Sequence, residues 1–270
     1  MRTINFVKMV GTGNDFIVID NRMKKFPVDD DSLIIRICNR RNGIGSDGII
    51  LIEESFSNDF KMRIINPDAS EVAMCGNGAR CAVRYANVLG IMKDHCTVET
   101  LAGTLKASFV DNNISLNMGR PKDFRDSFLI NYNGEEYEVF FINTGVPHVV
   151  IFVENVKSIN VEDFGQFIRY HDLFKPDGTN CNFVEVTGNN SIKVRTYERG
   201  VEDETFSCGT GTCASAIISV IKKGLEWKVT STTRLHETLQ VDSEISSEDI
   251  DKDFYLIGPA DITFKGSFSY

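Results

Sequence analysis

The sequence predicts an α+β protein built from two similar units, each organised around one apolar helix. Two observations predict the repeat: a strand, polar turn, Cys-Gly-x-Gly and apolar helix occur in that order twice, and alternating strand-like sequence follows each helix. A third predicts the centre of each unit. Both helices are apolar over much of their circumference, as expected of a helix wrapped by strands.

Along the chain, 31–40 (DSLIIRICNR) reads as an amphipathic helix, with Asp29, Asp30 and Asp31 as candidate N-caps. The strand-like FKMRIIN leads through PDASEVAM to Cys75-Gly76-Asn77-Gly78, and the helix ARCAVRYANVL stops at Gly90. TVETLAGTLKASF then alternates like a hairpin. The turn-rich NMGRPKD marks a boundary near 119–121. Segment 161–174 (VEDFGQFIRYHDLF) reads as a surface helix. The strand-like IKVRTY leads through ERGVEDETFS to Cys208-Gly209-Thr210-Gly211, and TCASAIISVIKK stops at Gly224. A glycine at each stop suits the left-handed position that ends a helix. WKVTSTTRLHETLQV alternates again, and the last strand-like stretch, ADITFKGSF, is expected to return to the first unit. The expected domains are therefore 1–118, completed by 261–270, and 119–260.

Composition narrows the class. Of 270 residues 42% are hydrophobic and 25% charged, as in ordinary globular proteins. A net charge of -9 argues against nucleic acid or an anionic membrane as partner, although a locally positive site for a small anion stays compatible with it. No apolar run approaches the roughly 18 residues of a membrane span. The start, MRTINFVKMVG, lacks a signal-peptide pattern, and seven cysteines lack the density of a disulfide scaffold, so a reducing cytoplasm is the expected location.

The paired turns carry the chemistry. At a helix N-terminus the unpaired N–H groups and the positive dipole end favour a thiolate and also bind a carboxylate. Glycines beside the cysteine allow close approach to the backbone. Two such turns acting on one α-carboxylate would set one sulfur on each face of the α-carbon, so that a thiolate removes the proton and a thiol returns one from the other side. A single cysteine in such a turn reads most simply as a small buried hydrophobe. Two matched copies favour function, whereas Cys81 and Cys213 fall inside the helices as packing residues. No C-x2-C pair occurs, so no metal or iron–sulfur site is expected, and no cofactor.

On these residues the chain resembles the diaminopimelate epimerases, which act without pyridoxal phosphate. The matching segments are FVKMVGTGNDFIVID, GIGSDGIILIE, NPDASEVAMCGNGARC, NTGVPHVVIFVE, DGTNCNFVEV and RTYERGVEDETFSCGTGTCAS, in family order over essentially the whole chain. The resemblance implies two α+β domains, each a strand barrel around a central helix with the active site in the cleft between them, and a homodimer. It implies Cys75 and Cys208 as the catalytic pair, Cys208 being the base from LL- to meso-diaminopimelate. It further implies that the backbone at Gly76, Asn77, Gly209 and Thr210 holds the reacting carboxylate, and that Arg199 holds the distal one. Asn14, Asn66 and Asn180 would be polar substrate contacts. Glu198 would hold an ammonium group and influence Cys208, and His148 would stand near Cys75.

Read by themselves, Asn14, Asn66 and Asn77 are also simple turn formers, Glu198 and Arg199 an exposed pair, and His148 a satisfied loop histidine. Lys8 reads as a solvated strand residue without a role. Three positions depart from the family. Val146 stands where many members have asparagine, so a substrate hydrogen bond is lost there or passes to a neighbour such as Asn143. Ala69 replaces a common glycine, which suggests a backbone angle that alanine accepts. RGVEDETFSC is one residue longer than the usual loop. A related racemase of another amino acid is the alternative reading. Two thiols serving one carbon are expected to form an inactivating disulfide in the empty enzyme, so air oxidation should lower activity and a thiol reductant should restore it. Activity indifferent to oxidation would contradict that pairing.

Overall fold

The structure, a computed structural model, describes residues 2–270, which divide into two compact units, 2–116 with 258–270 and 117–257. The first unit contains β1 (Thr3–Gly11), β2 (Asn14–Asp20), α1 (Asp31–Cys38), β3 (Gly48–Glu53), β4 (Phe60–Ile65), β5 (Glu71–Val72), α2 (Gly76–Val88), β6 (His95–Thr100), β7 (Gly103–Val110) and β8 (Asn113–Asn117). The second contains β9 (Lys122–Tyr132), β10 (Glu135–Asn143), β11 (Pro147–Phe152), α3 (Val161–Arg169), β12 (Asn180–Gly188), β13 (Ser191–Glu198), β14 (Asp203–Thr205), α4 (Gly209–Lys223), β15 (Val229–Thr232), β16 (Thr238–Ser243) and β17 (Phe254–Gly258). The last strand, β18 (Asp261–Ser269), runs antiparallel to β1, with Ile4 opposite Phe268.

One pairing scheme serves both units. In the first, β1–β2 is antiparallel, β2–β3 parallel, β3–β4 and β4–β5 antiparallel, β4–β6 parallel and β6–β7 antiparallel. In the second, β10–β11, β11–β12, β12–β13, β13–β14, β13–β15 and β15–β16 repeat that series in the same senses. Parallel neighbours need a crossover, and the helices supply them: α1 and α3 join the first parallel pair of each unit, α2 and α4 the second.

The two crossover helices that follow the cysteines are central. α2 packs on β1, β2, β3 and β4, and α4 on β10, β11, β12, β13, β15 and β16. Ala79, Cys81, Ala82, Val83 and Ala86 are buried along α2. Along α4, Cys213, Ala214, Ala216, Ile217 and Ile218 join one core with Val150, Val184, Val229 and Leu256. The buried Ser215 and Ser219 donate their hydroxyls to the carbonyls of Gly211 and Ser215 (2.8 and 2.7 Å), so neither of these two hydroxyls is left unpaired in the apolar core. Gly90 and Gly224 have φ of 73° and 66°, the left-handed ends expected from the sequence.

Among the candidate caps of α1 the structure selects Asp30, whose carboxylate accepts from the Leu33 amide at 3.0 Å. The helix expected over 161–174 is shorter. It ends at Arg169, and a separate short turn, Asp172–Phe174, follows an extended His171. The break carries Phe174 into the core, where its ring stacks on Phe141 with centroids 5.9 Å apart.

Two further expectations are corrected. Ala69 has φ of 70°, so the glycine-type angle is kept rather than relaxed, and its methyl packs against the core around Ile19 and Ile65. Lys8 is not solvated. It is 7% exposed, its ammonium donates to the Gly45 carbonyl and it lies 2.5 Å from Asp15, which Arg40 also holds at 2.5 Å. Burial alone would push the Asp15 carboxyl up, but hydrogen bonds from Arg40 and Lys8 and their charge outweigh it and hold it below the usual range. A depressed carboxylate stabilises the fold above its unfolded pKa of about 3.9 and loses that contribution as pH falls through the lower folded value. Lys8→Ala is therefore expected to cost about 2 kcal/mol in urea unfolding at neutral pH, with the deficit shrinking below about pH 3.5. A deficit independent of pH would show that packing of the lysine stem, not the ion pair, carries the effect.

Candidate active site

Each cysteine is the N-cap of its helix. Cys75 precedes α2 with φ -143° and ψ 120°, Cys208 precedes α4 with φ -117° and ψ 111°, and neither side chain caps the helix. Their carbonyls start the helices, accepting from the amides of Ala79 and Thr212, both at 2.8 Å. Each cysteine therefore directly precedes first-turn amides that have no intrahelical acceptor. Cys75 is half-buried and Cys208 buried. Cys81, one and a half turns along α2, is wholly buried, and desolvation pushes its thiol up to about 12, as suits a packing residue.

In the first unit the turn is braced by a network the sequence did not reveal. Asn77 donates its amide to the Thr12 carbonyl (3.2 Å) and to Asn14 Oδ1 (2.8 Å). Asn14 in turn donates to Asp47 at 3.0 Å. Arg80, fully buried, donates to Asn77 Oδ1 and Thr12 Oγ1, both at 2.8 Å, and to the Pro259 carbonyl at 3.1 Å. A buried cation one turn inside α2 adds to the positive field of that helix end. Asn66 lies on a separate turn, where its amide donates to Ser70 Oγ at 3.1 Å.

In the second unit, Glu198, at the end of β13, faces the Cys208 thiol. Burial pushes the Glu198 carboxyl up, while the facing Thr205 and Cys208 groups pull the other way. Arg199 is fixed at its backbone, donating to Asn180 Oδ1 at 2.8 Å, and one guanidinium N–H reaches the Asp177 carbonyl at 3.2 Å. Asn180 also donates to the Pro147 carbonyl at 2.8 Å, so it staples the start of β11 to the turn after β13.

His148 is fully buried, and the turn it meets is that of Cys208: Nε2 lies 2.9 Å from Thr210 Oγ1, which lies 3.5 Å from Cys208 Sγ. Asn182 Nδ2 lies 2.8 Å from the Val149 carbonyl and 3.1 Å from His148 Nδ1. The amide can only donate, so Nδ1 accepts and Nε2 carries the proton. The resemblance set His148 near Cys75; its one N–H is engaged by Thr210 within the second unit. Periodicity had a usable signal for Asn182, which shares a strand face with Asn180 two residues earlier.

The departures from the family pattern find local explanations. Asn143 uses its Oδ1 to accept from the Gly145 amide (3.0 Å), which occupies the carbonyl oxygen in shaping the turn before Val146. The longer loop before Cys208 forms the β13–β14 hairpin, with Glu198 opposite Asp203. Glu202, at φ 59°, anchors it by accepting from Arg169 and Tyr170, both at 3.1 Å. Among the described residues no group of three or more His, Cys, Asp or Glu is arranged to hold a metal ion, and no helix is long and apolar enough to cross a membrane.

Comparison with known proteins gives one consistent family. The family model described as diaminopimelate epimerase matches residues 6–123 and 140–263. The chain is 42% identical to diaminopimelate epimerase of Aquifex aeolicus, covering 98% of both chains. It is 40% identical to that of Chlorobaculum tepidum, over 97% of this chain and 100% of the relative. Among solved structures, a phenazine biosynthesis protein of the PhzF family from Bacillus anthracis shares the fold with a TM-score of 0.77 at 15% identity, covering 100% of both chains. A hydroxyproline epimerase from Agrobacterium vitis does so with a TM-score of 0.69 at 14% identity, over 98% of this chain and 92% of that one.

Burial, with the Arg199 charge adding to it, pushes the His148 ring down to about 3. It therefore stays neutral at physiological pH. Nitrogen-15 spectra should show the Nε2–H tautomer with no titration between pH 8 and 5. Because the folded pKa lies below the unfolded value of about 6.5, His148 stabilises the fold above pH 6.5, and this is lost as pH falls towards 3. A ring that titrates near 6.5 would overturn the assignment.

Proposed function

Because the chain belongs to the diaminopimelate epimerase family, we propose that it interconverts LL- and meso-2,6-diaminopimelate, for lysine and peptidoglycan precursor synthesis, with Cys75 and Cys208 as the two proton-transfer groups. The observation that carries this reading is the repeated N-cap cysteine, each at the start of a buried helix with glycine next to it.

The reaction needs one thiolate and one thiol. From LL to meso, Cys208 as thiolate takes the α-proton, and the C–H electron pair moves into the carboxylate, which becomes enediolate-like. Amides at Gly76, Asn77, Gly209 and Thr210 stabilise that charge, a role for which first-turn N–H groups are suited. The Cys75 thiol returns a proton to the opposite face, and the enzyme is left with the roles exchanged. Glu198 supports Cys208: its raised pKa and its place facing the thiol make it a fitting acceptor for the sulfur's proton. Glu198 also suits a substrate ammonium. Arg199, with most of its guanidinium N–H groups uncommitted, suits bidentate binding of the distal carboxylate. Asn14, Asn66 and Asn180 complete the polar contacts. His148, neutral and aimed at Thr210, serves as a hydrogen-bond donor rather than as an acid. The protein works in the cytoplasm as a homodimer.

A racemase of another amino acid is the second reading, favoured only by Val146 in place of the family's asparagine. A substrate panel separates the two. With LL-diaminopimelate in deuterated water, the enzyme should wash deuterium into the α-position, and Cys75→Ala or Cys208→Ala should lower inversion by at least about 10²–10⁴-fold. Arg199→Lys should raise KM for diaminopimelate far more than it lowers kcat. Full activity in either cysteine variant would sink the two-thiol mechanism, and turnover of a single-centre amino acid without diaminopimelate would favour the second reading.

A further inference from the structure

The two units match in register but not in what lies beneath their cysteine turns. Thr12-Gly13 leads into β2 as Thr144-Gly145 leads into β11, which aligns Phe16 with His148. Phe16 pairs with Gly48, and Ile50 two residues on pairs with Ile64. In the second unit His148 pairs with Asn180, and Asn182 two residues on pairs with Thr196. Phe16, Ile50 and Ile64 meet the second glycine of the first turn, and His148 and Asn182, the latter held by Thr196, meet that of the second. A Cβ on Gly78 would lie 3.2 Å from Ile50, 3.4 Å from Ile64 and 3.5 Å from Phe16; one on Gly211 would lie 2.3 Å from Asn182 Oδ1 and 3.3 Å from both His148 Cε1 and Cys208 Sγ. The floor is Phe, Ile, Ile under one turn and His, Asn, Thr under the other.

Burying three polar side chains at equivalent positions is costly unless every hydrogen bond is made. Here each is made, and in one direction only. Thr196 Oγ1 donates to Asn182 Oδ1 at 2.9 Å. The Val149 carbonyl cannot donate, so the amide end of Asn182 faces it and gives its other N–H to His148 Nδ1. His148 must then donate from Nε2 to Thr210 Oγ1. Thr210 Oγ1 thus accepts from His148 and keeps its own O–H, for which Cys208 Sγ at 3.5 Å is an acceptor whenever the sulfur's proton is turned to Glu198 or lost.

We propose that Thr196, Asn182 and His148 form a one-way hydrogen-bond chain that presents the Thr210 hydroxyl as a donor to Cys208, making Asn182 and Thr196 positioning residues that favour the thiolate of this cysteine. No proton travels along the chain; each hydrogen stays on its donor, and the proton leaving Cys208 passes to Glu198 or to water. The inference rests on the reading of Cys208 as an acid/base thiol and adds how the protein sets its resting state. The titratable and charged groups around the turn are Glu198 and Arg199 at the end of β13 and His148 on β11. Glu198 as an anion opposes the thiolate, and the chain supplies a donor against it.

The test uses carbon-13 labelled cysteine in the full-length protein, with the Cys208 and Cys75 Cβ shifts followed against pH. Thr210→Val should raise the Cys208 inflection by about one pH unit, and Thr210→Ser should leave it in place. Asn182→Leu should move it in the same direction, and neither substitution should move Cys75. If Asn182→Leu does not fold, the Thr210 pair decides alone. A Cys208 inflection unchanged in Thr210→Val, or an equal shift at Cys75, would overturn the proposal. The measurement needs no substrate, so its failure is distinct from a lack of diaminopimelate turnover.

Discussion

The constraint on which each unit depends is the contact between the second glycine of its cysteine turn and the strands beneath. A helix whose first turn lies within van der Waals reach of a sheet has no room for a side chain there, and at Gly211 an added carbon would collide with Asn182. That closeness makes the helix central, ends it on a buried floor and leaves the preceding cysteine at the edge of the apolar core.

From this contact the repeat acquires its logic. Each unit needs two parallel strand pairs to surround the central helix, and each parallel pair needs a crossover. One crossover is the helix that carries the cysteine; the other is the short amphipathic helix α1 or α3. The two units fill this scheme with different side chains. The first unit does so with apolar residues and a buried Arg80, the second with a closed set of hydrogen bonds around His148.

Much of this was legible in the chain. The duplicated Cys-Gly-x-Gly, the glycine stops and the alternation after each helix are local signals, and local signals survive in sequence because backbone geometry enforces them. Lys8 was not legible, since an isolated lysine in a strand carries no mark of the Asp15 and Arg40 that surround it. Ala69 misled for a related reason: core packing holds a methyl at an angle that local preference alone would give to glycine. The helix over 161–174 was overextended because its apolar period continues through Phe174, although the backbone breaks at His171.

By itself, the sequence determined the α+β class, the duplicated helix starts and the pair of cysteines set at them, because spacing, glycine and hydrophobic period are properties of contiguous residues. The register that sets His148, Asn182 and Thr196 beneath one turn and Phe16, Ile50 and Ile64 beneath the other was decided only by tertiary structure. So was the register of β18 on β1, since the sequence led the last strand to the first unit but named no partner for it. Hydrogen-bond direction depends on which donor faces which acceptor, and strands distant in sequence supply both.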